Sequence, residues 1–312
     1  MKKDDLARRL YWMSGGASRA GRRPSTRASC VARSIILIVI AAWSRRRSMS
    51  MNTANRIDHI LCGMRGIRLA ELQSASLMRR KDNKYLFSFL SLDGILEAIG
   101  DHYRVLEIEG QRSQHYRTVY YDTASHDMYH RHHRGMANRY KVRFRRYLAS
   151  DEIFLEVKHK DAKGITRKKR IPGTNNELGI RAREEAFLGE HTPFSPEAIG
   201  PVLENHFRRI TLVRDGRDER LTLDYGLGFR SLIQDRELDF PGISVAEIKY
   251  QGHLASSPVH LALRSARITP GRFSKYCIGM AMLHPELKQN RFREKAMRVG
   301  KINTHYLTHQ KN

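Results

Sequence analysis

Cationic side chains occupy every second position in several strand-like segments near the middle of this sequence. In the segment RYKVRFR (139–145), one alternating set is Arg139, Lys141, Arg143 and Arg145, and the other is Tyr140, Val142 and Phe144. Successive side chains of a β-strand point to opposite faces of a sheet, so these cations share one face. Like charges that lie opposite each other on neighbouring strands destabilise a sheet. A fold that gathers them on one face therefore needs an anionic partner.

Three later segments repeat this arrangement. The charged residues that share a face are Glu156 with Lys158 in 153–160, Lys168 with Arg170 in 166–171, and Glu247 with Lys249 in 246–250. For a single strand, an ordinary antiparallel sheet with a charged face in water is a sufficient explanation. Four such strands favour a sheet that curls with its charges inward and has an apolar outer face covered by helices. Phosphate chains suit such an interior, because Arg binds phosphate oxygens as a fork and Lys as a point charge.

The charge balance also indicates an anionic partner. Lys and Arg number 57 and Asp and Glu 32, a formal net charge of +25, while 40% apolar residues are enough to build a sizeable core. The three cysteines are widely spaced and form no CxxC pattern, which excludes a disulfide scaffold and a cysteine zinc site. The longest uncharged apolar run, 35–43, has nine residues, about half of the roughly 18 that a membrane-spanning helix needs.

Composition divides the chain into four parts. Residues 1–50 are rich in Arg, Ser, Gly and Ala without lasting periodicity, so we expect a disordered basic extension or a start site assigned too early. We expect a helical lead-in over 51–74, one folded body over 75–290, and a basic tail over 291–312. Within the body, strands rich in Val, Ile, Tyr and Phe are separated by short turns, and helices are expected at 92–100, 182–188, 195–206, 258–266 and 275–283. This pattern predicts an α+β fold.

Nine short motifs occur in the order of a known family. They are RKDNKY (80–85), YYDT (120–123), NRYKVRFRRY (138–147), FLEVKHK (154–160), TRKKRI (166–171), RITL (209–212), RLTLD (220–224), AEIKY (246–250) and RFSKYCIGM (272–280). Together they resemble the VTC domain, the polyphosphate polymerase domain of the vacuolar transporter chaperone complex and its bacterial relatives. That domain is one of the triphosphate tunnel metalloenzymes, which include the CYTH hydrolases. The resemblance covers 75–290 and implies an antiparallel eight-stranded β-barrel with a charged lumen, flanked by helices.

The resemblance also implies an activity, which is transfer of the γ-phosphate of ATP onto a polyphosphate chain with Mn²⁺ or Mg²⁺. Carried over residue by residue, it implies catalytic roles for Lys84, Arg143, Arg145, Lys158 and Lys275. Phosphate contacts are implied for Arg80, Lys141, Lys168, Arg170, Arg209, Arg220, Lys249, Arg272 and Ser274, with Glu247 as the metal ligand; Arg170 and Lys249 rest on same-face position alone. Asp224 shares a face with Arg220, and we expect an ion pair between them.

The first strand separates two branches of this superfamily. CYTH hydrolases carry E-x-E-x-K there, whereas the equivalent residues here are Arg80, Asp82 and Lys84. Replacement of one carboxylate by a cation favours one metal and a stronger phosphate clamp over a two-metal hydrolase. Mg²⁺ and Mn²⁺ prefer oxygen ligands and commonly use one or two carboxylates together with substrate phosphates. The histidines at 126, 130, 132 and 133 adjoin two arginines, so we expect a surface or phosphate-facing role for them and not a metal site.

Three functions stay open at this point. They are a polyphosphate polymerase using ATP, a tunnel hydrolase of triphosphate or another organic phosphate, and a non-catalytic module that binds polyphosphate or nucleic acid. Nucleic acid is disfavoured, because its binding requires an exposed basic surface with stacking aromatic rings. We expect ATP and polyphosphate as partners in a cytoplasmic protein, with the inner face of the membrane as an alternative location, since export of the product needs a separate membrane partner.

Overall fold

A computed structural model describes residues 55–74, 81–174 and 178–311 of this protein. The expectations for residues 1–50 and for Arg80 fall outside these ranges. The strands are β1 Gly66–Arg68, β2 Lys81–Ser88, β3 Tyr103–Glu107, β4 Gln114–Thr123, β5 Arg139–Tyr147, β6 Glu152–Lys160, β7 Thr166–Pro172, β8 Ile199–Arg214, β9 Glu219–Ser231, β10 Glu237–Tyr250 and β11 Pro270–Gly271. The helices are α1 (55–63), α2 Leu69–Ser74, α3 Leu92–Ile99, α4 Asp127–Arg134, α5 Ala182–His191, α6 Pro258–Ser265, α7 Lys275–Leu283 and α8 Asn290–His309.

One long sheet carries the fold, with strands in the order β11-β2-β10-β9-β8-β4-β5-β6-β7. All neighbours along this path are antiparallel, while β3 pairs with β8 and the short β1 runs parallel to β3. The predicted α+β class and the antiparallel tunnel-like sheet are therefore confirmed.

The ring of eight strands expected from the resemblance is not closed by hydrogen bonds within the described ranges. Strands β7 and β11 lie at the two ends of the path and do not pair with each other. Strand β11 has only two residues and begins with Pro270, which has no backbone N–H to donate. Strand β7 presents a run of charged side chains, which is typical of an unpaired edge.

The two faces of the sheet differ as the alternation predicts. Ile210, Leu221 and Ile248 are fully buried on one face and pack in a single cluster with residues of α3 and α6. Their sequence neighbours Thr211, Thr222 and Glu247 align across β8, β9 and β10 on the other face. We call this second face, which also carries the alternating cations of β5 and β6, the charged face.

Helix α7 covers one end of the charged face. Its Tyr276 and Ile278 are buried in a cluster with Phe207 of β8 and Val245 of β10. The helix begins at Lys275 after the N-cap Ser274, whose hydroxyl accepts from the backbone N–H of Cys277. This packing places the first turn of α7 beside the charged residues.

Two segments differ from the expectations. The helix expected at 195–206 is wrong, because strand β8 begins at Ile199 and pairs with both β4 and β9. Pro201 is tolerated in this central strand because the register with β4 shifts there, between Tyr120 and Tyr121. Residues 290–309, expected within a basic tail, form α8, which packs on the body through buried Val299 and Tyr306.

Candidate functional site

Besides Asp82, which lies directly opposite Lys249, three carboxylates of the charged face are each held between two cations. The first is Glu247, which antiparallel pairing of β10 with β2 places directly opposite Lys84. Its Oε1 atom lies 2.9 Å from Lys84 Nζ and 2.8 Å from Lys249 Nζ. Burial would raise the pKa of the Glu247 carboxyl, but Lys249 and Lys84 outweigh burial and hold that pKa well below its usual range. Glu247 is therefore an anion throughout the neutral pH range.

The second carboxylate, Glu156, lies on β6 between its neighbours β5 and β7. Arg143 donates to Glu156 Oε2 through Nε at 2.8 Å and approaches it through Nη2 at 2.6 Å, and Lys168 donates to Oε1. Burial opposes ionisation, but the charges of Arg143 and Arg145 outweigh it and lower the pKa of Glu156. The sequence indicated Glu156 only as a companion of Lys158 on the same face.

The third carboxylate is Asp224 on β9, which pairs with Arg209 and Lys275. Arg209 donates from Nε to Oδ1 at 2.5 Å and from Nη2 to Oδ2 at 2.8 Å, and Lys275 also donates to Oδ2. The expected ion pair of Asp224 with Arg220 is wrong. These two residues are four positions apart on one strand, about 13 Å, whereas the register places Arg209 directly opposite Asp224.

Further cations of the charged face, among them Arg145, Lys141 and Lys158, have no carboxylate within ion-pair distance among the described residues. Arg145 is 7% exposed, and its only hydrogen bond is a 3.4 Å contact from Nε to Thr118 Oγ1. Lys141 Nζ donates to Ser274 Oγ at 2.8 Å. Lys158 is exposed to solvent, and none of the described residues is a hydrogen-bond partner of its side chain. The charged face is thus strongly positive after all its internal pairing.

The pKa values of these cations show how close together they lie. Burial, followed by repulsion from Arg143, lowers the pKa of Arg145, which stays protonated. Desolvation, followed by repulsion from Lys141, lowers the pKa of Lys158 to about 8. Lys84 of β2 and Lys160 of β6 line one cavity, so strands from distant parts of the sheet approach each other across this face.

Aromatic rings support the guanidinium groups. Arg145 and Arg209 lie over the ring of Tyr116, at 5.6 and 5.3 Å from its centroid. Phe207 stacks on Tyr116, and the centroid of its ring lies 4.3 Å from Lys275 Nζ. The alternation of β4 and β8 could have indicated both rings, since they occupy the same face as the cations, but neither belonged to a quoted motif.

A cavity of about 430 Å³ opens where the charged face meets α4, α7 and α8. Its only carboxylate among the described residues is Asp82. His132 also lines it, and burial followed by the charge of Lys141 lowers the pKa of His132 to about 2, so this imidazole is neutral. The cationic lining residues are Lys84, Arg139, Lys141, Lys160, Arg272, Arg291 and Lys295.

The remaining residues implied by the resemblance lie at the margins of this arrangement. Arg170 stacks over Phe154 at 4.4 Å. Arg220 donates to the backbone oxygen of Leu72 at 3.2 Å. Arg272 and Ser274 line the cavity. The structure therefore brings together on the charged face Lys84, Lys141, Arg143, Arg145, Lys158, Lys168, Arg209, Glu247, Lys249 and Lys275. On the same face, Arg170 of β7 lies directly opposite Glu156, and Arg220 of β9 lies directly opposite Lys249.

Glu247 fits a divalent cation better than Glu156 and Asp224 do. Its side chain is 21% exposed, against 1% for Glu156 and 4% for Asp224. No three His, Cys, Asp or Glu side chains are grouped so as to hold a metal ion in the ranges that the structure describes. A metal ion on Glu247 would therefore need phosphate oxygens as further ligands, which agrees with the ordinary coordination of Mg²⁺ and Mn²⁺.

Comparisons with known proteins agree with the motif order. The sequence profile of the VTC domain matches residues 79–284. No curated protein sequence matches this chain. In the part that the structure describes, no helix combines the length and apolarity that crossing a membrane requires.

Several solved structures resemble this chain in part. A candidate adenylate cyclase from Vibrio parahaemolyticus has 13% identity over 62% of this chain and 94% of its own, with a TM-score of 0.39. A candidate adenylate cyclase from Bacillus halodurans has 14% identity over 69% and 99%, with a TM-score of 0.39. A candidate adenylyl cyclase from Hippeastrum, described as having a dominant triphosphatase activity, has 13% identity over 64% and 96%, with a TM-score of 0.39. Likeness at this level does not bear on the activity of this chain.

The family profile and the charged face coincide along the sequence. The matched residues, 79–284, are more than half of the chain. The matched residues include Glu156, Asp224 and Glu247 and every cation paired with these three carboxylates. This chain belongs to the VTC domain family.

Proposed function

We propose that this protein is a polyphosphate polymerase-like phosphotransferase that moves the γ-phosphate of ATP onto a polyphosphate chain along the charged face. The observation that carries the proposal is the surplus of cations there. Arg145 is buried without a carboxylate partner among the described residues. On the same face, Lys141 and Lys158 lie opposite each other on β5 and β6 and also lack a carboxylate partner there. A polyanion with several acceptor oxygens on each unit offsets such a surplus better than a single small anion.

Phosphoryl transfer requires mainly positioning and charge stabilisation from the protein. In this proposal Arg143, Arg145 and Arg209 hold the triphosphate in line with the end of the polymer. A terminal oxygen of the polymer forms a bond to the γ-phosphorus, and the bond from that phosphorus to the bridging β-oxygen breaks, so that ADP leaves. The attacking oxygen is already ionised, and no general base is needed.

Lysines offset the charge that develops on the leaving β-phosphate. Lys84, Lys158 and Lys275 reach the charged face from β2, β6 and α7. We propose Glu247 as the ligand of Mn²⁺ or Mg²⁺, which when bound would neutralise charge on the phosphate oxygens. Arg170 and Arg220, which lie directly opposite Glu156 and Lys249 on neighbouring strands, would bind further phosphates of the longer chain.

A hydrolase that acts on triphosphate or another organic phosphate is the second candidate. The observation that favours it is the water-accessible cavity of about 430 Å³ beside the charged face. The sequence favours the polymerase, since Arg80 and Asp82 replace the paired glutamates of the CYTH hydrolases. Product analysis separates the two.

The test is incubation of the purified full chain with ATP and Mn²⁺, with measurement of polyphosphate, ADP and free phosphate. We expect polyphosphate and ADP in step, with little free phosphate. Stoichiometric free phosphate without polymer would establish the hydrolase, and binding of polyphosphate without turnover would leave a binding module. Glu204→Gln is a suitable control, because Glu204 lies on the opposite face between Arg117 and Arg230. Export of the product would need a separate membrane partner, which we propose as an association of the protein.

A further inference from the structure

Glu156 and Asp224, two of the carboxylates that are paired with cations on the charged face, have buried side chains. The side chain of Glu156 is 1% exposed and that of Asp224 is 4% exposed. Their cationic partners are more open, with 21% exposure for Arg143 and 43% for Lys168. The acids therefore lie beneath the cations that a phosphate would touch.

Asp224 holds Arg209 by one edge of its guanidinium. The Nε and Nη2 atoms donate to the two carboxylate oxygens, at 2.5 and 2.8 Å. A guanidinium has five N–H groups in a fixed fork, so donors on Nη1 and the second hydrogen of Nη2 are still available for phosphate. The rings of Tyr116 and Phe207, each 5.3 Å from the guanidinium carbon, restrict its plane.

Asp224 also binds Lys275 through Oδ2, so one acid keeps two cations side by side. Without it, Arg209 and Lys275 would repel each other, and Arg209 would also repel Arg145 nearby. Because both oxygens of Asp224 are engaged and the side chain is buried, a metal ion has no direct approach to it. Glu156 has the same relation to Arg143 and Lys168, with each oxygen engaged by one partner.

We propose that Asp224 is a positioning residue that holds Arg209 and Lys275 in the arrangement a phosphate group binds, and that Glu156 does the same for Arg143 and Lys168. This inference rests on the proposed function, because it assumes that phosphate binds the charged face. It predicts that a carboxylate, although it repels phosphate by charge, increases phosphate affinity. An acid that merely competed with phosphate for the same cations would have the opposite effect.

The test is binding of inorganic tripolyphosphate by titration calorimetry at physiological salt, without nucleotide or metal. The variants are Asp224→Asn, Arg209→Gln and the double variant, which form a double-mutant cycle. We expect each single variant to lose roughly ten- to hundredfold in affinity, the usual effect of one or two charge-assisted hydrogen bonds. The double variant should lose less affinity than the two single losses combined, because Asp224 acts partly through Arg209; any loss beyond that of Arg209→Gln alone measures its hold on Lys275.

Glu204→Gln is the matched control. Glu204 also lies between two arginines, 2.7 Å from Arg117 and 2.9 Å from Arg230, but on the opposite face of the sheet. We expect this variant to lower the melting temperature without changing tripolyphosphate affinity. A loss of affinity that merely followed stability would appear in this control as well and would overturn the inference.

Asp224→Asn leaves two half-buried cations without their acid, and it could fail to fold for that reason. Glu156→Gln with Arg143→Gln then supplies a second cycle at a site whose lysine is more exposed. Affinity equal to or above that of the wild type in Asp224→Asn or Glu156→Gln would overturn the inference and identify the acids as competitors of phosphate. Tripolyphosphate binding by the wild type without polymer synthesis from ATP would reject only the proposed function, whereas absence of binding would reject both.

Discussion

Arg145 offers a way to separate folding stability from ligand binding on the charged face. Its side chain is 7% exposed and has no carboxylate partner among the described residues, and burial together with Arg143 lowers its pKa. The folded protein therefore carries a desolvated cation at a cost to its own stability. Arg145→Met keeps most of the side-chain volume and removes the charge.

The expected magnitude follows from these contacts. Replacing buried ionic groups by apolar groups of similar volume stabilises proteins by about 1–4 kcal/mol. Arg145 also loses a weak hydrogen bond to Thr118 and a cation–π contact with Tyr116, so we expect a net gain of about 1–2 kcal/mol for the empty protein. In a domain of this size that gain raises Tm by about 2–8 °C.

Tripolyphosphate should reverse this order. At 100 times its Kd, the ligand stabilises the wild type by about 2.7 kcal/mol. If Arg145→Met weakens binding a hundredfold, the same concentration stabilises the variant by about 0.4 kcal/mol. Thermal unfolding with and without tripolyphosphate measures both quantities, at physiological salt to suppress weak attraction of polyanions to exposed lysines.

Arg143→Met is the comparison variant, since it removes a cation that has a carboxylate partner. It leaves Glu156 with Lys168 alone, so we expect the empty protein to lose about 2–4 kcal/mol. The reasoning fails if Arg145→Met unfolds below the wild type without ligand, or if it keeps the full shift with tripolyphosphate.

Three further predictions concern the metal, pH and packing. Glu247→Gln should weaken Mn²⁺ binding by roughly tenfold or more, because it removes an anionic oxygen ligand. Electron paramagnetic resonance with tripolyphosphate present measures this binding, and unchanged binding would place the metal elsewhere. Because the pKa of Lys158 is lowered to about 8, tripolyphosphate affinity should fall between pH 7 and pH 9, and Lys158→Met should flatten that dependence. The folded pKa lies below the unfolded one, so the same group makes the empty protein more stable as pH rises from about 8 toward 10, and a fall in its stability over this range would contradict the assignment. Gly279→Ala should lower stability by about 1–3 kcal/mol, since a Cβ there would lie 2.6 Å from Phe229 and 2.8 Å from Leu203; an unchanged Tm would show that α7 can shift on the sheet.

Local sequence is sufficient to predict which face of each strand is charged. Val142 and Phe144 are fully buried, while Arg143 between them faces Glu156 and Lys158. The period of two arises from the backbone of a single strand and needs no knowledge of its neighbours. For the same reason the alternation placed Arg143 with Arg145, Glu156 with Lys158, and Glu247 with Lys249 on shared faces before their partners on other strands were known.

Local sequence was insufficient where a residue's environment depends on distant strands. The segment 195–206 has enough apolar and helix-forming residues to suggest a helix, but pairing on both sides with β4 and β9 makes it part of a long strand. Tertiary context outweighs helix propensity here, because propensity differences are only tenths of a kcal/mol per residue. The helical structure of 290–309 likewise depends on packing of Val299 and Tyr306 against the body.

The partners of the three carboxylates were decided by tertiary structure alone. Asp224 has Arg220 four residues before it on its own strand, yet it binds Arg209 and Lys275 from β8 and α7. Alternation specifies a face but not which residues of the next strand lie opposite, because that register depends on turns, bulges and the packing of both faces. The sequence by itself thus determined that a set of cations shares one face. Only the folded sheet decided which of them are neutralised by an acid and which, like Arg145, are left for an anionic ligand.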